Sequence, residues 1–174
     1  MFAHARRCRA LLRGVILAAP LLFTTPSVAT TWYVSTCGND AWAGVSPICD
    51  GSGLGPKQTI HGALAVASDG DTINVFAGVY PGAIDTLGKA VHIVGVAGRD
   101  ATFITGTSST RCMVCNSGEG PDTIIEGFSM VAGSVIDSGG CLQVFGSSPT
   151  IIDCRFENGE AGLYGGGVAL IGSE

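Results

Sequence analysis

TIHGALAVASDGDTINVFAGVY, residues Thr59 to Tyr80, decides how this chain is read. Ile60, Ala63, Leu64 and Ala67 recur at i, i+3, i+4 and i+7, the spacing that gathers apolar side chains on one face of a short helix. Asp69-Gly70-Asp71 then supplies turn chemistry that ends the helix. Thr72 to Phe76 follows as a strand, with Ile73 and Val75 on one face. An amphipathic helix that runs directly into a strand suits a plug over the first layer of a stacked β structure.

Downstream, short β-branched runs alternate with Gly or Ser-Pro punctuation, and the order of strand and turn repeats. Gly139 to Ser147 aligns without a gap on Gly165 to Ser173, an offset of 26 residues. Thr123 to Glu126 aligns on Thr150 to Asp153 at an offset of 27, and Arg111 to Cys115 on Gly140 to Val144 at 29. A period of that size marks units that bury their apolar face only by stacking on copies of themselves. An antiparallel sandwich also has short, evenly spaced strands, but it has no need to repeat the same turn over the turn below. The register places Met113, Leu142, Val144, Val168 and Leu170 inward.

Two stretches carry a family resemblance. The helix-to-GDTI segment, together with YVSTCGNDAWAG (Tyr33 to Gly44), resembles the opening of right-handed parallel β-helix proteins of the pectate-lyase-like superfamily. SSPTIIDCRFENGEAGLYGGGVAL (Ser147 to Leu170) is similar to repeats of bacterial surface β-helices and polymorphic outer-membrane proteins, although its Phe156-Glu157-Asn158 element is one residue short. The resemblance implies an all-β fold: a right-handed parallel β-helix solenoid of about four coils with a short N-terminal capping helix. It implies a cap over residues 30–71 and coils over 72–174, read as the N-terminal portion of a longer β-helix. It does not choose a reaction, because this superfold hosts lyases, hydrolases, adhesins and structural proteins.

Composition narrows the setting. Residues 1–29 read as a secretory signal peptide: Arg6, Arg7, Arg9 and Arg13 precede the apolar run Gly14 to Phe23, and Ser27-Val28-Ala29 offers small residues at a cleavage site. The run is too short to span a bilayer and Pro20 interrupts it. Losing those four arginines takes the formal charge from −5 to −9, which argues against nucleic acid and anionic lipid as partners. The chain is expected to be secreted or at the cell surface.

Six cysteines remain after position 29, an even number that suits an exported chain. Cys37 and Cys49 share a Gly/Pro-rich segment and are expected to close a small loop. Cys112 and Cys141 occupy equivalent positions read as outward and are expected to cross-link neighbouring coils, with Cys115 and Cys154 inward. Cys112-x-x-Cys115 has no second pair to complete a metal site, and Asn39-Asp40 reads as a turn rather than a calcium site.

No catalytic, metal or cofactor residue is assigned. The leading expectation is a binding or structural surface for extracellular carbohydrate. The alternative is a calcium-dependent polysaccharide lyase whose site lies mostly in further coils. A lyase needs clustered carboxylates for calcium and a cationic base. The acids considered are Glu126 and Asp153, read as stacked equivalents, and Asp137; the cations are Arg155 and Lys89. His61 and His92 read as residues without an acid partner. Secreted material should begin at Thr30 on N-terminal sequencing; an intact Met1 chain in the medium would contradict the leader.

Overall fold

The computed structural model describes residues 28–172, so the leader expected over 1–29 lies outside the described residues but for its last two. Strand β1 (Thr31–Val34) precedes helix α1 (Ile60–Val66). The chain then makes β2 (Thr72–Val75), β3 (Gly78–Pro81) and β4 (Ile84–Asp85). Next come β5 (His92–Gly95), β6 (Thr102–Thr105) and β7 (Met113–Cys115). A third set is β8 (Ile124–Glu126), β9 (Ser129–Val131), β10 (Ser134–Val135) and β11 (Leu142–Phe145). The last is β12 (Thr150–Ile152), β13 (Arg155–Glu157), β14 (Glu160–Ala161) and β15 (Val168–Ile171).

These strands form several parallel sheets. Sheet 1 has the order β1-β2-β5-β8-β12, sheet 2 β13-β9-β6-β3, and sheet 3 β15-β11-β7-β4; β10 pairs with β14 apart from them. From β2 onward the chain therefore visits sheets 1, 2 and 3 in the same order four times. Among the described residues every pair of these strands is parallel, and an antiparallel bridge joins only Thr107 and Thr110 in a loop.

Parallel register stacks like on like. Trp32, Ile73, Ile93, Ile125 and Ile151 form one inward column of sheet 1. Ile84, Met113, Leu142 and Val168 form one in sheet 3, and Tyr80, Ile104 and Met130 one in sheet 2. The middle members of these columns are fully buried, and each contributes about 1.5–3 kcal/mol by leaving water. Leu142 to Val144 lies beside Val168 to Leu170, as the gapless repeat predicts. Leu170 shares the inward face yet is 67% exposed, since β15 is the outer strand of its sheet.

The 27-residue alignment is corrected by one position. Thr150 pairs with Ile124 and Ile152 with Glu126, so Glu126 and Asp153 are not equivalents. Asp153 takes the place after β12 that Gly127 takes after β8, and both have positive φ (45° and 76°). Each turns the chain sharply from sheet 1 into sheet 2, a conformation that Asp tolerates better than most side chains. Strands β9 and β13 follow these corners at once, which is why no separate run announced them.

The N-terminal segment closes the free side of sheet 1. Backbone bonds Tyr33 N–H to Gly44 C=O (2.8 Å), Lys57 N–H to Tyr33 C=O (2.8 Å) and Ser35 N–H to Lys57 C=O (2.9 Å) pair β1 on its outer edge. The Cys37–Cys49 disulfide closes the loop between them. Asp40 accepts from Gln58 N–H (2.8 Å), Thr59 N–H (2.9 Å) and Thr59 Oγ1–H (2.8 Å). Thr59 caps α1 by accepting from Gly62 N–H at 2.9 Å. Lys89 donates to the carbonyls of Leu64 and Ala67 (2.8 Å to the latter), satisfying the other helix end. Ile60, Ala63, Leu64 and Ala67 face the core as their spacing predicts.

The outward reading of Cys112 and Cys141 is corrected. Both are fully buried free thiols, because they immediately precede the inward Met113 and Leu142 but sit before the strands' regular alternation begins. Cys115 is inward and buried, and Cys154 packs half-buried against the core.

Glu119 staples one corner through three circuits. Only 2% exposed, it accepts from Thr86 Oγ1–H (2.7 Å), Gly88 N–H (2.9 Å), Ser117 N–H (2.8 Å) and Ser147 Oγ–H (2.8 Å). Burial alone would raise its pKa, but the bonds from Thr86, Ser117 and Ser147 outweigh it and hold the value at about 2, against an ordinary 4.5. A depressed pKa contributes stability that is complete above 4.5 and is lost as pH falls toward about 2. Glu119→Ala, which strands buried donors, should cost on the order of 2–4 kcal/mol in urea unfolding. The variant should also lose part of the wild-type acid sensitivity between pH 4.5 and 2.

Candidate functional site

Outward residues of sheet 3 form registered rows. Ala83 lies beside Arg111 in the first, just ahead of the strands, where Ala83 N–H donates to Arg111 C=O at 2.8 Å. Asp85, Val114, Gln143 and Ala169 make the second. One alternation further on, Asn116 and Phe145 continue the same face. Two adjoining hollows open here. One, of about 410 Å³, is lined by Asp85, Arg111, Val114, Asn116 and Gln143 among others. The second, of about 440 Å³, is lined by Ser108, Ser109, Arg111, Ser134, Val135 and Asp137 among others. They share Ser109, Arg111 and Val135, so together they make one groove between the sheet and its flanking loops.

Arg111 organises the groove. Its side chain is only 15% exposed. Nη2 donates to both Asp137 oxygens (2.7 and 2.8 Å) and Nη1 donates to Gln143 Oε1. The guanidinium hydrogen bond holds the Asp137 carboxyl below the usual carboxylate range, against a smaller opposing effect of burial. Asp137 orients Arg111, and Arg111 in turn fixes Gln143 with its amide NH2 still available to a ligand. Asp85 uses one oxygen to accept from Leu87 N–H (2.8 Å). Phe145, 54% exposed, adds an apolar platform at the end of the same face.

The acids and cations weighed for a lyase do not converge. Glu126 lies on the outer face of sheet 1 and meets His92 Nε2 at 2.9 Å. This corrects the reading of His92 as partnerless: register brings residues 34 apart onto adjacent strands. His61 Nε2 lies 3.0 Å from Ala83 C=O. Asp153 pairs with Arg99 at 2.6 Å. Arg155 pairs with Asp100 and lies 3.6 Å from Glu157, while Lys89 caps α1. Among the described residues no group of three or more His, Cys, Asp or Glu is placed to hold a metal ion.

Asn39 serves the turn as expected, its Oδ1 accepting from Ala41 N–H at 2.9 Å, whereas the Asp40 carboxylate reaches across to Gln58 and Thr59 instead of bonding its own turn. Of the groove's charged and amide residues, only Asp137 stands among the acids and cations considered from the sequence, and Ser108 and Ser109 read there simply as turn residues. Arg111 and Gln143 stand 32 positions apart, and the 29-residue repeat that aligns their segments was the available signal.

The chain matches no protein-family model, no curated protein and no solved structure. Its fold and site therefore rest on its own geometry. Asp137 is half exposed, so Asp137→Asn should cost less than about 1 kcal/mol in thermal unfolding. A larger loss would show the pair to be structural rather than part of an open groove.

Proposed function

We propose that this chain is an exported right-handed parallel β-helix whose sheet 3 groove binds carbohydrate. The observation that carries the reading is the groove itself: a sheet-floored channel lined by a fixed Gln143, Asp85, Asn116 and loop hydroxyls, with exposed Phe145 two residues beyond Gln143 on the same strand. Sugars present hydroxyls for such polar groups and C–H faces for an aromatic ring, so mixed surfaces of this kind suit them. The fourfold passage through three parallel sheets supports the β-helix. The Cys37–Cys49 bond supports an oxidising compartment. No helix among the described residues is long and apolar enough to cross a membrane.

A panel of soluble polysaccharides, neutral and uronate-containing, titrated calorimetrically against the protein tests this reading. Gln143→Ala and Phe145→Ala should each weaken binding about tenfold or more with melting temperature unchanged. Absence of binding to every glycan, or binding indifferent to both substitutions, overturns it.

The same reading places Cys112 and Cys141 where they can cross-link. Cys112 N–H donates to Cys141 C=O at 3.1 Å, so the residues lie on adjacent segments at a spacing a disulfide accepts. Their thiols also share a hydrogen bond, which holds Cys141 low while pushing Cys112 up. On oxidation two thiols give two protons and two electrons to a disulfide oxidant. Non-reducing peptide mapping should find Cys112 joined to Cys141, whereas a Cys112–Cys115 bond contradicts the arrangement.

A further inference from the structure

We propose that export cleavage between Ala29 and Thr30 creates an α-ammonium group that seats on the buried Asp71 carboxylate, making the new N-terminus a structural ion pair. The inference rests on the export reading and is independent of the groove. Cleavage consumes one water, leaving a carboxylate on Ala29 and an ammonium on Thr30.

Asp71 is a built acceptor. It is 3% exposed and accepts from Thr30 N–H (2.7 Å), Trp32 Nε1–H (2.8 Å) and Ser68 N–H (2.8 Å). It thereby joins the start of β1 to the end of α1 and the entry of β2. Burial alone would raise its pKa, but the bonds from Ser68, Trp32 and Thr30 outweigh that and lower it, so the group is a carboxylate at neutral pH. In the uncut chain Thr30 offers this anion one neutral N–H. After cleavage the same atom carries a full positive charge and further donors.

The position is held from its other side. Thr72 N–H donates to Thr30 C=O at 2.9 Å, and Thr31 pairs with Thr72 in β1 and β2. The nitrogen therefore cannot drift far from Asp71. Val28, two residues earlier, is 85% exposed, so the scissile bond stands where the chain emerges from the fold. The surroundings favour an added cation. Lys89 acts on Asp71 but is engaged with the helix carbonyls. Asp69, Asp122 and His92 line the adjoining hollow.

An ammonium paired in this way has its pKa raised above the ordinary range of about 7.7–8.0. Its contribution is fully present below about pH 7.7 and is lost as pH rises through the raised value. The test compares the exported chain beginning at Thr30 with one beginning at Val28, whose Thr30 nitrogen is an amide, each with and without Asp71→Asn. At pH 6 the Thr30 chain should melt roughly 3–6 °C higher. The gap should close by about pH 10, and Asp71→Asn should abolish it. Equal melting of the two chains from pH 5 to 10 overturns the ion pair even if the Asp71 variant does not fold. Exported material that begins elsewhere than Thr30 overturns the cleavage site.

Discussion

In-register parallel pairing is the constraint on which everything else in this protein depends. Each strand lies over the one before it in the same direction, so side chains of like position stack in columns. A column works only if every member suits the same environment. Ile73, Ile93 and Ile125 meet that demand in sheet 1, and Ile84, Met113 and Leu142 meet it in sheet 3. A one-residue slip would carry a whole column into water. The chain holds register by the apolar columns and by corners that admit few substitutes. At Gly133 an added Cβ would stand 1.8 Å from the Gly140 carbonyl oxygen, so the backbones themselves touch there.

Carboxylates that collect several hydrogen bonds, Asp71 and Glu119 buried and Asp40 exposed, hold what the columns do not. Asp40 ties the N-terminal loop to the helix start, Asp71 ties the first strand to the helix end, and Glu119 ties three successive corners. Each takes several hydrogen bonds from N–H or O–H donors that would otherwise lack partners. A buried charge is tolerable only with such compensation. Asp71 and Glu119, both held below their ordinary pKa, place part of the fold's acid sensitivity in its interior.

The surface divides along the same geometry. Polar partners meet in pairs around sheets 1 and 2, as in the His92–Glu126 hydrogen bond and the Arg155–Asp100 ion pair. On sheet 3 the Arg111–Asp137 pair instead lines a groove and positions an uncharged amide. With Arg111 neutralised, Asp85 leaves the groove mildly acidic, in keeping with the acidic chain as a whole.

Local pattern alone determined the helix at Ile60 to Val66, most strands of sheets 1 and 3, their parallel order and the Cys37–Cys49 loop. Those features follow from spacing within a few residues or from repeats of 26 to 29, which a linear reading can compare. Only the tertiary structure decided that Cys112 and Cys141 face inward, that Glu126 aligns with Ile152, and that His92 meets Glu126. It also decided that Arg111 reaches Gln143. These depend on how many residues each circuit spends in its corners, of which left-handed Gly127 and Asp153, turning sheet 1 into sheet 2, are two. A contact between residues some thirty positions apart changes partner when that count changes by one, and no local preference in the sequence is strong enough to fix the count.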